Sequence, residues 1–498
     1  MKNDTFKHIL GGGNLPLSIL CLILIFFYNA SFFGGDLLVS FWSAHQASLI
    51  EGSFYNQLIE SWNLRGFGYK FIIYLNYKLI NPWLNMFESP NVFNHVYRAF
   101  HSLFFLTTLF SGSFLLKNRF AEFSINQNKL LLASVIIFFS ASFLMIGQPE
   151  EYAFIFTIWY LVFGITKNKI LNWLSGLFVF VLFSLKVTTV GFLVFPASIF
   201  LYHRKKVNFN ILFISGIAGV LLTAFFYFTL LKPDLKDVLE ASLFQKSGIL
   251  SQIMLKSFES RFSEFWIYDS FLYLGICISF LSFLYFFRIK QILIAFCFLS
   301  VSFVIFYQNK FFPYHFILFY PLAIYSIYNI LLSSEKLTII LLVISLFFYF
   351  DIYYHGLDDK PKYNNIKGSS SYNWQFNYQF RFDIAQALKK EIKNPNEPLL
   401  FLTEGGINYF LPNPSYSRYF YPLPLQRIAL NSKLKETAVY KNTLISFFNY
   451  KGEYVVWQPD WFNLDNFPQL KEYLFNNYEE VYSYRNYQQM KLLKRKKI

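Results

Sequence analysis

The chain has 498 residues, of which 55% are hydrophobic, 22% aromatic and 15% charged, and its mean hydropathy is +0.35. A water-soluble domain cannot enclose so much apolar side chain, so the composition predicts a polytopic α-helical membrane protein. The net charge of +15 would suit a nucleic-acid partner, but Lys and Arg fall largely in short loops, where membrane orientation explains them and nucleic-acid binding is not expected.

At the N-terminus, Lys2 and Lys7 precede an apolar run, as in a signal peptide, but no small-residue cleavage site follows, and an uncleaved first span is expected. Apolar runs then predict eleven spans. The first six are Leu15–Phe33, Val96–Leu116, Leu130–Gly147, Ala153–Thr166, Ile170–Leu185 and Val187–Tyr202. The other five are Phe209–Leu231, Phe271–Phe287, Gln291–Tyr307, Phe316–Leu332 and Leu337–Phe350. Cys21, Cys277 and Cys297 all lie inside apolar runs, with neither metal-ligand spacing nor a disulfide framework.

With a cytoplasmic N-terminus, the inner loops "LKNRF", "TKNKI", "YHRKKVN", "FRIK" and "SSEK" all carry Lys or Arg. The opposite face receives "GQPEEY" and three long segments: a first loop of about 34–95, a second of about 232–270, and the tail from 352 to 498. Residues 1–351 are thus expected to form a transmembrane module and 352–498 an extracytoplasmic C-terminal domain. In the tail, "FDIAQALKKEIKNPNEPLLFLTEGGINYFL" reads as an amphipathic helix, a turn at Asn394–Pro398 and a short buried strand. "LKEYLFNNYEEVYSYRNYQQMKLLKRKK" reads as a helix and then a strand, which makes the tail a small α/β domain.

The chemistry-bearing residues gather on the outer face. Asp36 follows the first span, and the amphipathic "LLVSFWSAHQASLIEG" behind it suits a helix lying in the membrane interface. A helix cap is the simpler reading of Asp36. Glu150 and Glu151 share this side in a short loop, as solvated charges or as ligands for a metal or a sugar. Arg65, Lys186, Arg261 and Lys310 are cations on the same face; each either snorkels to lipid phosphates or serves a phosphate-bearing lipid.

"GGD" at Gly34–Asp36, "AHQASLIEGSFYN" at Ala44–Asn56, "NKFFPYHFILFYPLAIY" at Asn309–Tyr325 and "NYFLPNPSYSRYFYPLP" at Asn408–Pro424 carry a resemblance. Together with the layout they resemble the C-type glycosyltransferase fold (GT-C), in particular the bacterial relatives of protein mannosyltransferases and lipid A aminoarabinose transferases. The resemblance implies a polyprenyl-phosphate sugar donor, used on the outer face of a bacterial inner membrane with inversion at the anomeric carbon. It implies Asp36 as the base on the acceptor and Glu150 or Glu151 as a second acid. Arg65 falls where relatives meet the lipid phosphate, although "RGFGYK" has glycines in place of their proline pair, and Tyr314 and His315 match the entrance by which they approach the donor.

The expected enzyme is therefore a lipid-linked-sugar-dependent glycosyltransferase, moving a hexosyl or pentosyl group to a lipid, glycan or protein acceptor. Arg65, Lys186, Arg261, Lys310, Tyr314 and His315 would meet the donor, and either these cations or a divalent metal ion would take up charge on the leaving phosphate. A transporter or flippase of lipid-linked glycans is the first alternative, but it would place charges near the membrane midplane. An O-antigen-type polymerase is the second; it would be expected to carry several arginines in a late outer loop, and residues 232–270 hold Arg261 alone.

Overall fold

The computed structural model describes residues 35–49, 67–81, 149–165, 169–185, 217–222, 378–403, 407–417, 438–484 and 489–497, with scattered single positions between them. In chain order these form α1 (Gly35–Leu49), α2 (Phe67–Ile80), α3 (Pro149–Ile165), α4 (Lys169–Leu185), α5 (Tyr378–Glu391) and β1 (Leu400–Leu402). A short 3-10 turn at Asn408–Phe410 follows, then α6 (Ala438–Phe448), β2 (Tyr454–Trp457), α7 (Pro468–Asn477), β3 (Tyr478–Tyr484) and β4 (Met490–Arg495). The elements fall into two compact units, one holding α3 and α4, the other holding α1, α2 and everything from α5 onward.

In the first unit, Pro149 opens α3, where its missing N–H costs nothing, and "TKN" separates α3 from α4. The two helices bury Tyr152, Ile155, Tyr160, Val179, Leu182 and Leu185. Phe163 stacks on Phe178 with ring centroids 5.1 Å apart. The helical turn at 217–222 comes so close to α4 that a Cβ on Gly219 would strike the carbonyl oxygen of Gly176 and lie 3.0 Å from Cβ of Val179. Ile170, Trp173, Leu174 and Leu177 form an exposed row on α4.

The eleven-span architecture, and with it the GT-C-like transmembrane module, is corrected here. Among the described residues no helix is long and apolar enough to cross a membrane. The expected spans at 153–166 and 170–185 coincide with α3 and α4, which have 17 residues each. At about 1.5 Å per residue such a helix is about 25 Å long, short of a hydrocarbon core of roughly 30 Å. An apolar run of this length is equally suited to a helix packed against protein, and α3 and α4 bury large side chains in that way. Nearly all of the other nine expected spans lies outside the described residues.

The second unit is built on a four-stranded sheet in the order β1-β2-β4-β3. β1 and β2 are parallel, with Leu400 opposite Val455 and Leu402 opposite Trp457. The chain between them crosses over through α6, as parallel neighbours require. β2–β4 and β4–β3 are antiparallel, and β3 carries an irregularity between Glu480 and Tyr482. Edge strand β1, "LFL", and inner strand β2, "YVVW", are buried on both faces, which explains their unbroken apolar sequence.

Because side chains alternate along a strand, each face needs its own cover. Leu400, Leu402, Val455, Trp457 and Leu493 join Phe447 of α6 and Leu470 and Leu474 of α7 in one core. Phe462 and Phe467 stack within it, centroids 4.9 Å apart. Phe401 points the other way and meets Trp42 of α1 edge-on, centroids 5.1 Å apart. Phe41 of α1 packs on Tyr409, and Phe382 of α5 on Phe410. A helix far upstream in the chain thus helps cover the second face of the sheet.

Candidate functional site

The site is the junction of α1, α2 and the segment Leu411–Ser417. α1 begins at Gly35, which puts Asp36 in its first turn, where the helix's own N–H groups have no intrahelical acceptor and the macrodipole favours a carboxylate. Asp36 thus lies within the helix and does not precede it as a cap residue. From Ser40 to Ala47 every residue of α1 is buried, polar ones included. This overturns the expectation of a helix lying in a membrane interface with its polar face in water. Ser40, His45 and Gln46 look solvated in the sequence but are satisfied by protein groups, most of them hundreds of residues away.

The sequence "LPNPSYS" explains the partner. Pro412 and Pro414 have no N–H, which keeps the segment extended and leaves their carbonyls to accept. Nε2 of His45 donates to the Pro412 carbonyl over 3.0 Å. Nε2 of Gln46 donates to the Asn413 carbonyl over 3.2 Å, and its Oε1 accepts from the Ser415 N–H over 2.7 Å. A carbonyl on one side and an N–H on the other leave the amide a single orientation. On its opposite edge the segment pairs with the start of β1: Leu399 N–H donates to Pro414 and Tyr416 N–H to Leu399, both at 2.9 Å. Asn413 turns its side chain to the carbonyls of Asn394 and Glu397, at 2.9 and 3.1 Å. The segment is a strap between β1 and α1.

α2 completes the junction. Tyr69 donates to Ser40 and Tyr77 to Nδ1 of His45, at 3.3 and 2.8 Å, so the two helices run in the same direction. Since the Pro412 carbonyl can only accept, His45 carries its proton on Nε2 and receives the Tyr77 hydroxyl on Nδ1. Burial holds the His45 pKa below its ordinary value; the Pro412 hydrogen bond opposes this and nearby Lys78 reinforces it. Burial likewise pushes Tyr77 up to about 12. Both ring nitrogens of the neutral imidazole are occupied, which makes His45 a positioning residue. Its contacts fix α1 about 13 Å along the helix axis from Asp36, at 1.5 Å per residue.

Glu150 and Glu151 stand in the first turn of α3, in the other unit. Arg65, Lys186, Arg261, Lys310, Tyr314 and His315 lie outside the described residues. Among the described residues no group of three or more His, Cys, Asp or Glu side chains is placed to hold a metal ion. Sequence reasoning missed the roles of His45 and Gln46, although both stand in "AHQASLIEG", and it also missed Arg381, a fully buried cation on α5. The signal was present in each: polar side chains set among large apolar ones, and a Pro-Asn-Pro segment with two carbonyls to offer.

Compared with protein-family models, with curated proteins and with solved structures, the chain matches none.

Proposed function

We propose that the chain is a glycosyltransferase that moves a sugar from a polyprenyl-phosphate donor to a lipid, glycan or protein acceptor at the outer face of a bacterial inner membrane. The supporting observation is that two of the segments carrying the resemblance, Ala44–Asn56 and Asn408–Pro424, are hydrogen-bonded to each other through His45, Gln46 and the 412–415 strap. The acid expected to act as base stands at the start of the helix they fix in place.

In this reading Asp36 orients the acceptor and takes its proton. The acceptor oxygen or nitrogen bonds to the anomeric carbon from the face opposite the phosphate, the carbon–oxygen bond to the phosphate breaks, and the configuration inverts. The acceptor becomes more acidic as the new bond forms, and its proton passes to the Asp36 carboxylate. Cations take up charge on the departing phosphate, and Arg65, Lys186, Arg261 and Lys310 are the candidates.

The test is mass spectrometry of lipid-linked sugars and glycoconjugates from cells producing the wild-type chain or Asp36→Asn at matched levels. The expected result is accumulation of a polyprenyl-phosphate sugar and loss of one glycan mass, which also identifies the sugar class. Identical profiles would remove Asp36 as the base and this reading with it.

A further inference from the structure

The strap that α1 holds also carries Tyr416. Its N–H donates to the Leu399 carbonyl, and its ring meets that of Tyr450 with centroids 4.8 Å apart. Tyr450 is a fixed support: its ring is buried, and its hydroxyl donates to the carbonyls of Pro398 and Tyr454. Tyr416 itself is 39% exposed, so an aromatic surface is open to water on a residue whose backbone and ring neighbour are both held. An ordered aromatic side chain loses little freedom when a ligand settles on it.

Polar groups gather beside it. Tyr473 of α7 is half-buried and Tyr478 of β3 buried, and both hydroxyls donate to the Tyr450 carbonyl. Burial raises the pKa of both, Arg495 lowers it and Tyr416 raises it further, so Arg495 and Tyr416 lie within electrostatic reach of the same two hydroxyls. Arg495 stands opposite Tyr478 in the β3–β4 ladder, and its Nη1 donates to the Lys451 carbonyl over 2.6 Å. Among the described residues neither Arg495 nor Lys451 pairs with a carboxylate, since Glu453 is held by Lys494 and Glu480 by Lys491. The other N–H groups of the guanidinium are therefore available to an anion.

These groups define a ligand. The face of the Tyr416 ring is electron-rich and attracts the C–H groups on the flat side of a pyranose. The Tyr473 hydroxyl has committed its hydrogen to a carbonyl, so its oxygen accepts, which suits a sugar hydroxyl. Two cations without an acid disfavour a quaternary ammonium ligand and favour an anion.

We propose that Tyr416 is the platform of a saccharide-binding site, where an anionic pyranose stacks on the ring and its carboxylate or phosphate meets Arg495 and Lys451. Tyr416 directly follows Ser415, the residue that Gln46 holds, so the platform shares the rigidity of the clamp on α1.

The test is saturation-transfer NMR on the full-length chain, irradiating aromatic protein protons and titrating methyl glucuronide, glucose 6-phosphate or methyl glucoside. Transfer is expected to the C–H groups of one pyranose face, with at least one anionic sugar binding about threefold or more tighter than methyl glucoside. Which anionic sugar binds tighter distinguishes a carboxylate ligand from a phosphate. Tyr416→Phe should retain binding, and Tyr416→Ala should weaken it about fivefold. Lys451→Gln changes an exposed side chain, and should weaken the anionic sugars about twofold to fivefold while leaving methyl glucoside and the thermal midpoint unchanged. Absence of transfer to every sugar would overturn the proposal, as would binding unaffected by Tyr416→Ala or by Lys451→Gln. Equal binding of all three sugars would remove the role of the cations and the proposal with it. Displacement of the sugar by uridine monophosphate at a lower concentration than the sugar itself requires would overturn it in favour of a nucleotide site. No readout contains a transfer step, so this site and the role of Asp36 can fail separately.

Discussion

Gln46 is where α1 and the strap can be parted with least collateral change. Gln46→Leu keeps a similar side-chain volume but can neither donate to the Asn413 carbonyl nor accept from the Ser415 N–H. Gln46 is 8% exposed, so water cannot readily replace the lost partners. Stranding a buried polar group costs about 1–3 kcal/mol, and two are stranded here, so a loss of about 2–4 kcal/mol is expected once the better burial of Leu is allowed for. For a folding unit of 150–250 residues this corresponds to a midpoint about 5–12 °C lower. Thermal unfolding by circular dichroism reads the global loss, and amide exchange at Ser415 reads the local one. The control is Glu472→Gln on the exposed side of α7, where a change within about 0.5 kcal/mol is expected. Unaltered exchange at Ser415, with a melting shift no larger than the control's, would refute the clamp.

Three further outcomes are expected. Because burial lowers the folded-state pKa of His45, the unfolded chain binds a proton first as pH falls; the junction is therefore most stable above about 6.5 and weakens as pH drops from there toward the lowered value. Exchange at Ser415 between pH 5 and 8 should show this slope, and His45→Gln, which cannot titrate, should flatten it. Gly452→Ala places a Cβ 2.5 Å from Cε2 of the buried Tyr450 ring, and the forced shift should cost about 1–3 kcal/mol in thermal unfolding. Tyr450→Phe removes the hydroxyl that donates to the carbonyls of Pro398 and Tyr454, at 3.0 and 2.5 Å, and should cost about 1–3 kcal/mol in urea unfolding with the slope unchanged.

What the sequence by itself determined was local. The amphipathic period of α5, the turn after it and the apolar triplet of β1 were legible because each depends on neighbours a few residues apart. Asn394 accepts from the Asn396 N–H at 3.0 Å and the Glu397 N–H at 3.3 Å, the turn its side chain and the flanking prolines favour. The helix at 468–477 was legible for the same reason, although its one expected strand became the β3–β4 hairpin. Asp36 could be picked out as an acid behind an apolar run, but not its place inside a helix.

Tertiary structure decided the rest. Polar side chains facing water and polar side chains facing a protein carbonyl leave the same pattern along a chain, so His45 and Gln46 suggested a wetted interfacial helix. Their partners at Pro412, Asn413 and Ser415 lie 367 and 369 positions away, beyond any local period. The same ambiguity attaches to the spans expected at 153–166 and 170–185. An apolar run of 14–17 residues satisfies a bilayer or a neighbouring helix equally well by composition, and α3 and α4 end at 17 residues packed against each other. Hydrophobicity fixes that a surface must be covered, and what covers it is settled only when the whole chain has folded.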